Sequence, residues 1–197
     1  MTPEFCAIGA KTANRSFEMF AIAHHRGALA RRGASRVGSV TAELSPRSRI
    51  VADRLIEAGI PGQIVVLPDA ASTAALAAAA LGVEVGAIAN SLVFWSDGEP
   101  LLVMTSGSHR VDTSALAARI GRGSIVRATP DQVRAATGQA IGGVAPTGHP
   151  APLTTIVDEH LAEYPRLWAA GGTPHTVFPL SFDELVSITG GVVTKVD

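Results

Sequence analysis

The residues best suited to chemistry lie in one short stretch, Thr137 to Pro150 (TGQAIGGVAPTGHP), where glycine and proline exclude a helix or a long strand and predict a shaped loop. Gly142 and Gly143 lack a Cβ, so the backbone there can adopt φ > 0 and lie close against another group, while Pro146 stiffens the exit. Successive N–H groups in such a turn make a concave donor site for an anion, a carbonyl or a ribose hydroxyl. An isolated Gly-Gly is more often a tight connection between strands. Here Gly142-x-x-x-Pro146 follows a helix stop at Gly138 and precedes Gly148-His149-Pro150, and the combination marks a candidate site.

The other reactive side chains are scattered. There is no G-x-S-x-G elbow and no H-E-x-x-H or comparable ligand spacing, and the single cysteine, Cys6, excludes an intramolecular disulfide or an all-cysteine metal site. His109, His149, His160 and His175 have no spacing that pairs them; His149 and His175 sit in Gly/Pro contexts, on loops of the kind that carry sites. Thr105-Ser106-Gly107-Ser108-His109 reads as a plain turn or as the polar wall of a pocket, and Asp158-Glu159 as a solvated helix start. Ala87, Val93, Val103 and Ala145 are core residues first and pocket-sizing residues second. No metal or organic cofactor is implied.

Local signals predict the elements that must hold these groups. Ser45-Pro46 opens a helix with Val51, Leu55 and Ala58 on one face and Gly59 as its stop. Gln63 to Leu67 reads as a strand, and Ser72 to Leu81 as an Ala-rich helix closed by Gly82. Ser91 to Trp95 and Leu101 to Thr105 flank Asp97-Gly98, a strong hairpin signal, and are expected at the centre of the sheet. Asp112 caps a helix ending at Gly121, Ser124 to Ala128 is a strand, and Thr129-Pro130-Asp131-Gln132 is a capping box for a helix ending at Gly138. Leu153 to Val157, Leu167 to Ala170, Thr176 to Phe178 and Val192 to Val196 read as strands. A short helix is expected from Asp158 to Glu163, and another opened by Ser181-x-x-Glu184. Without a regular βαβ repeat or a G-x-G-x-x-G turn, the pattern predicts a mixed α/β (α+β) class: a single domain with a curved mixed sheet surrounded by short helices.

At 197 residues and 47% hydrophobic content, the chain has ample material for one core. Its net charge of −1 hides an asymmetry: residues 1–49 hold eight Lys/Arg against three acids, and the remainder is acidic. An acidic body is a poor general surface for phosphate backbones, so DNA is not expected as a partner and any RNA contact should be local. No apolar run reaches the roughly 18 to 20 residues of a membrane span, which predicts a cytoplasmic protein with no membrane partner. Residues 1–43, rich in Arg, Ala, Gly and Ser, read as a disordered N-terminal extension, with a natural start near Val40 as one explanation.

Several stretches in order carry a resemblance: Ala87-Ile88-Ala89-Asn90-Ser91-Leu92-Val93-Phe94, Ser106-Gly107-Ser108-His109-Arg110-Val111-Asp112, Thr137-Gly138 leading into Gly142-Gly143-Val144-Ala145-Pro146, and Phe182-Asp183-Glu184-Leu185. With them, the body of residues 44–197 resembles the YbaK/proline-tRNA-editing-like family, deacylases that hydrolyse wrongly charged aminoacyl-tRNA. The resemblance implies a partly barrel-like sheet, a G-x-x-x-P loop at Gly142 and Pro146 that holds the terminal adenosine and the ester, and hydrolysis by a positioned water without a protein nucleophile. It implies a trans-editing function on tRNA carrying a small amino acid. The aminoacyl-tRNA acceptor end would be the partner, and an aminoacyl-tRNA synthetase a second one. Asn90 and His175 become the catalytic candidates, and Ser91, Gly107, Arg110, Gly142, Gly143 and Pro146 the substrate-binding ones. Where the family usually has lysine, in a pattern like I-x-K-[ST]-L-V-F, this chain has Asn90. Three outcomes follow: Asn90 orients the ester or water, Arg110 reaches in as a substitute cation, or the domain is a non-catalytic module that binds an aminoacyl or nucleotide ligand.

Overall fold

The hairpin at Asp97-Gly98 organises the fold. Both residues have positive φ (51° and 89°), the conformation of a two-residue turn whose twist matches its flanking strands. In the computed structural model, which describes residues 44–61 and 63–197, this turn joins β2 (Ile88–Ser96) to β3 (Glu99–Ser106) in an unbroken antiparallel register from Ala89↔Ser106 to Ser96↔Glu99. The reading of residues 1–43 as disordered lies outside the described residues.

Around this hairpin the sheet has eight strands among the described residues: β1 (Val65–Val66), β4 (Ile125–Arg127), β5 (Thr154–Asp158), β6 (Leu167–Ala170), β7 (Thr176–Leu180) and β8 (Val192–Thr194) join the central pair. Their order is β1-β7-β6-β2-β3-β5-β8, with β4 pairing β2 off that path. Parallel pairings (β2 with β6, β3 with β5, β5 with β8) and antiparallel ones coexist, so the sheet is mixed as expected.

Strand alternation divides the core. Ala89, Val93, Leu102 and Met104 face Val51 and Leu55 of α1 (Pro46–Glu57), Val133 of α4 (Pro130–Thr137) and Leu185 of α5 (Phe182–Thr189). Phe94, Leu101 and Val103 face Leu116 and Ala117 of α3 (Thr113–Ile120). Ile88 and Val177 pack on Ala77 and Ala78 of α2 (Ala74–Leu81). The helices start where local chemistry predicts: Ser45, Asp112, Thr129 and Ser181 accept first-turn N–H groups, the last two in complete capping boxes, each cap worth about 1 kcal/mol.

The differences from the expected elements have physical causes. The strand predicted over 63–67 is reduced to Val65–Val66 on the sheet edge, although Leu67 N–H still donates to the His175 carbonyl at 2.7 Å. The last strand stops at Thr194 because the chain leaves β5 there: the Val196 carbonyl accepts Asp112 N–H at 2.8 Å and the Lys195 carbonyl accepts Arg119 Nη1 at 2.6 Å. Glu159–Glu163 is a 3-10 helix, and Asp158, expected as a solvated start, is fully buried.

Candidate functional site

On the side of β2 away from β3 two strands share one edge. β6 pairs at Ile88↔Trp168 and Ala89↔Ala169, and β4 at Phe94↔Arg127 through Ser96↔Ile125, so Asn90 to Val93 have no strand partner there among the described residues. The Ile88 carbonyl points to β3, accepting Gly107 N–H at 2.9 Å. By alternation the main chains of Ser91 and Val93 therefore point into the fork. The Val93 carbonyl is taken by Ala128 N–H at 3.2 Å, whereas Ser91 faces the opening. A cavity of about 280 Å³ lies in this fork.

The glycine loop forms one wall. Gly142 has φ +84°, and a Cβ there would stand 3.1 Å from Ser72 Cα; a Cβ at Gly143 would stand 2.6 Å from the Thr173 backbone. The loop thus fits flush on 171–176 only with glycine at position 143. Gln139, itself buried, holds the loop's shape: its Oε1 accepts Ala145 N–H at 2.6 Å and its Nε2 donates to the Thr147 carbonyl at 3.4 Å. His149 Nε2 bonds the Ala145 carbonyl at 2.9 Å. Burial pushes the His149 pKa below its ordinary value, outweighing the opposite pull of that carbonyl. Behind 171–176, hydroxyl contacts run from Ser45 to Ser48 (3.1 Å), Thr176 (3.1 Å) and Thr173 (2.8 Å), tying the wall to the start of α1.

The cavity gathers some of the expected residues and not others. Asn90, Ser91 and Gly142 line it. Ser91 Oγ is engaged with Met104 Sδ at 3.3 Å, whereas among the described residues the Asn90 amide has no hydrogen-bond partner. Gly143 and Pro146 are buried in the loop behind the lining. Gly107, Arg110 and His175 lie outside it: Gly107 is packed on the Val85 carbonyl, and Arg110 and His175 are exposed. Ala87, Val93, Val103 and Ala145 are core residues that do not line the cavity. Sequence reasoning missed Gln139, which carries no motif, and Arg127, which reads as an ordinary strand arginine. Among the described residues Arg127 is the one charged residue lining the cavity, and its guanidinium has no partner there.

A second cleft, of about 430 Å³, lies at His109, Asp158, His160, Glu163, Lys195 and Asp197. Asp158 Oδ2 accepts Ser106 N–H at 3.0 Å and Thr105 Oγ1 at 3.3 Å, its Oδ1 accepts His160 N–H at 3.2 Å, and the rings of His109 and His160 stack at 4.2 Å. Among the described residues no group of three or more His, Cys, Asp or Glu is arranged to hold a metal, and no helix is long and apolar enough to cross a membrane.

Comparison with known proteins agrees with this geometry. Residues 68–188 match the aminoacyl-tRNA editing domain, a span that contains both prongs of the fork and the glycine loop. Proline–tRNA ligases from two strains of Nitratidesulfovibrio vulgaris are 33% identical over 104 residues, 53% of this chain; the chain spans 17% of their length. A solved structure provisionally assigned as a trans-editing enzyme for prolyl tRNA synthetase is 42% identical, with a TM-score of 0.74 over 79% of this chain and 99% of that one. A hypothetical protein of solved structure is 27% identical, with a TM-score of 0.69 over 75% of this chain and 98% of that one.

Proposed function

This chain belongs to the aminoacyl-tRNA editing domain family, and from that premise we propose that it is a trans-editing deacylase, hydrolysing the ester between a small amino acid and the acceptor end of tRNA. The observation that carries the reading is the fork itself: an amide without a partner, Asn90, and a glycine loop share a cavity to which the described residues contribute no carboxylate, histidine, cysteine or lysine. With no protein base in reach, the attacking water must be activated by the substrate, and the neighbouring ribose hydroxyl is the group positioned to do so. Water adds to the ester carbonyl carbon, the carbon–oxygen bond to ribose breaks, one of the water's protons passes to the ribose oxygen and the other to solvent, and the amino acid leaves as its carboxylate. The protein's part is orientation and stabilisation of the carbonyl oxygen by aligned donors. Asn90 supplies such a donor from β2, Ser91 offers its main-chain groups in the fork, and the loop from Gly142 through Gly143 to Pro146 shapes the adenosine side. The cavity volume, at the low end for small-molecule clefts, suits a small side chain.

A neutral donor in the family's lysine position favours one rival, a module that binds the acceptor end without hydrolysing it. Alanyl-, cysteinyl- and seryl-tRNA of the proline type, offered to wild type, N90A and N90K, separate the two. The deacylase reading expects release well above the spontaneous rate by wild type and about a hundredfold loss in N90A, the scale of one aligned donor. Activity in N90K alone would assign the natural protein to binding, and activity in none would remove the tRNA reading.

A further inference from the structure

Among the described residues the fork places one cation beside a site that otherwise has none. Arg127 ends β4 opposite Phe94, so its side chain leaves the sheet on the same face as Asn90, which lies four residues further down β2. Along an extended strand that is about 13 Å, more than an arginine side chain spans, so the guanidinium serves the mouth of the cavity and not the ester beside Asn90. It is exposed, lines the cavity, and has no carboxylate or carbonyl partner among the described residues. A planar cation with all its donors unspent is suited to one chemistry above others, the fork-shaped recognition of a phosphate.

We infer that Arg127 is a phosphate anchor: it binds the 5′-phosphate of the nucleotide whose ribose carries the ester, and so fixes how far that nucleotide enters the fork. This rests on the reading of the cavity as an acceptor-end site and adds a residue and a substrate feature to it. Arg110, offered by the sequence as the substitute cation, lies outside the cavity; Arg127 has the charge in the right place but at the nucleotide end, which leaves the neutral Asn90 alone at the ester.

The test reads binding, so it does not depend on turnover. Adenosine and adenosine 5′-monophosphate are titrated against the full-length protein, in wild type, R127A and R127K, at two salt concentrations. The anchor predicts that wild type prefers the monophosphate by about tenfold, that added salt shrinks the preference, that R127A binds both compounds alike, and that R127K, a point charge without the planar fork, falls between the two. Equal binding of the two compounds by wild type, or an undiminished preference in R127A, overturns the inference. Failure of the editing reading shows separately, as absence of deacylation in the panel above while the monophosphate preference stands.

Discussion

The two clefts of this domain are opposites in their electrostatics. The cleft around His109 and Asp158 is crowded with ionisable groups, most of them already engaged: Asp158 takes three protein donors and His160 Nδ1 sits 3.1 Å from Glu163 Oε1, while His109 Nδ1, 3.0 Å from Asp158 Oδ2, makes no well-aligned hydrogen bond. The fork at Asn90 holds a single charge among the described residues, and there the Asn90 amide and the Arg127 guanidinium are both unspent. A count of histidines and carboxylates would choose the first cleft as the active site. A count of unpartnered donors chooses the second, where the Asn90 amide and the whole Arg127 guanidinium are free against the single ring nitrogen of His109 in the first, and ligand binding favours such groups because those already paired must be separated before they can serve a substrate.

That contrast can be broken by mutation. The largest effect is expected at Asp158. Replacing it by Ala strands the Ser106 amide in the interior and removes an acceptor of the Thr105 hydroxyl and that of the part-buried His160 amide, at about 1–3 kcal/mol for each buried unsatisfied donor. Thermal unfolding should therefore drop sharply, while whatever protein stays folded keeps the wild-type ratio of activities on different aminoacyl-tRNAs. A changed ratio would make the polar cleft part of the site. Next comes Gly143→Ala: its Cβ meets the Thr173 backbone, and overpacking of this kind costs about 1–3 kcal/mol. Deacylation should fall by more than the stability loss explains, measured with single-turnover kinetics well below the melting temperature. Gln139→Leu comes third, leaving Ala145 N–H unpaired and loosening the loop, with a rise in KM of several-fold and a cost of about 1–2 kcal/mol.

The smallest effect belongs to His149. Its folded pKa lies below the ordinary 6.5, so its contribution is fully present above that value and is lost as the pH falls through the folded pKa. His149→Gln keeps a donor for the Ala145 carbonyl but cannot titrate. The difference in melting temperature between wild type and this variant should thus shift in the variant's favour between pH 7.5 and 5.5. A constant difference would mean that the loop does not sense this proton.

What the sequence disclosed about the fold was local. Caps at Ser45, Asp112, Thr129 and Ser181 and the turn at Asp97-Gly98 depend on neighbours within four residues, and all formed where expected. The glycine loop was legible for the same reason. The fork was not, since it depends on which strands pair with β2 and where each pairing stops, and no residue of β2 encodes that alone. Arg127 and Gln139 gained their roles through that pairing and through a bond across six residues, whereas Gly107, Arg110 and His175 lie close in sequence to motif residues and outside the cavity in space.

The way β2 is shared has a consequence for how specificity can change. The slot between the prongs spans Asn90 to Val93, bounded by the paired residues Ala89 and Phe94, and a strand repeats its facing every second residue. Lengthening it by one residue would turn Asn90 to the opposite face and break the register with β4, so the slot can grow only in steps of two residues. Evolution, or a designer, who wishes to admit a slightly larger amino acid cannot stretch the frame; only the side chains that furnish it are adjustable by small increments.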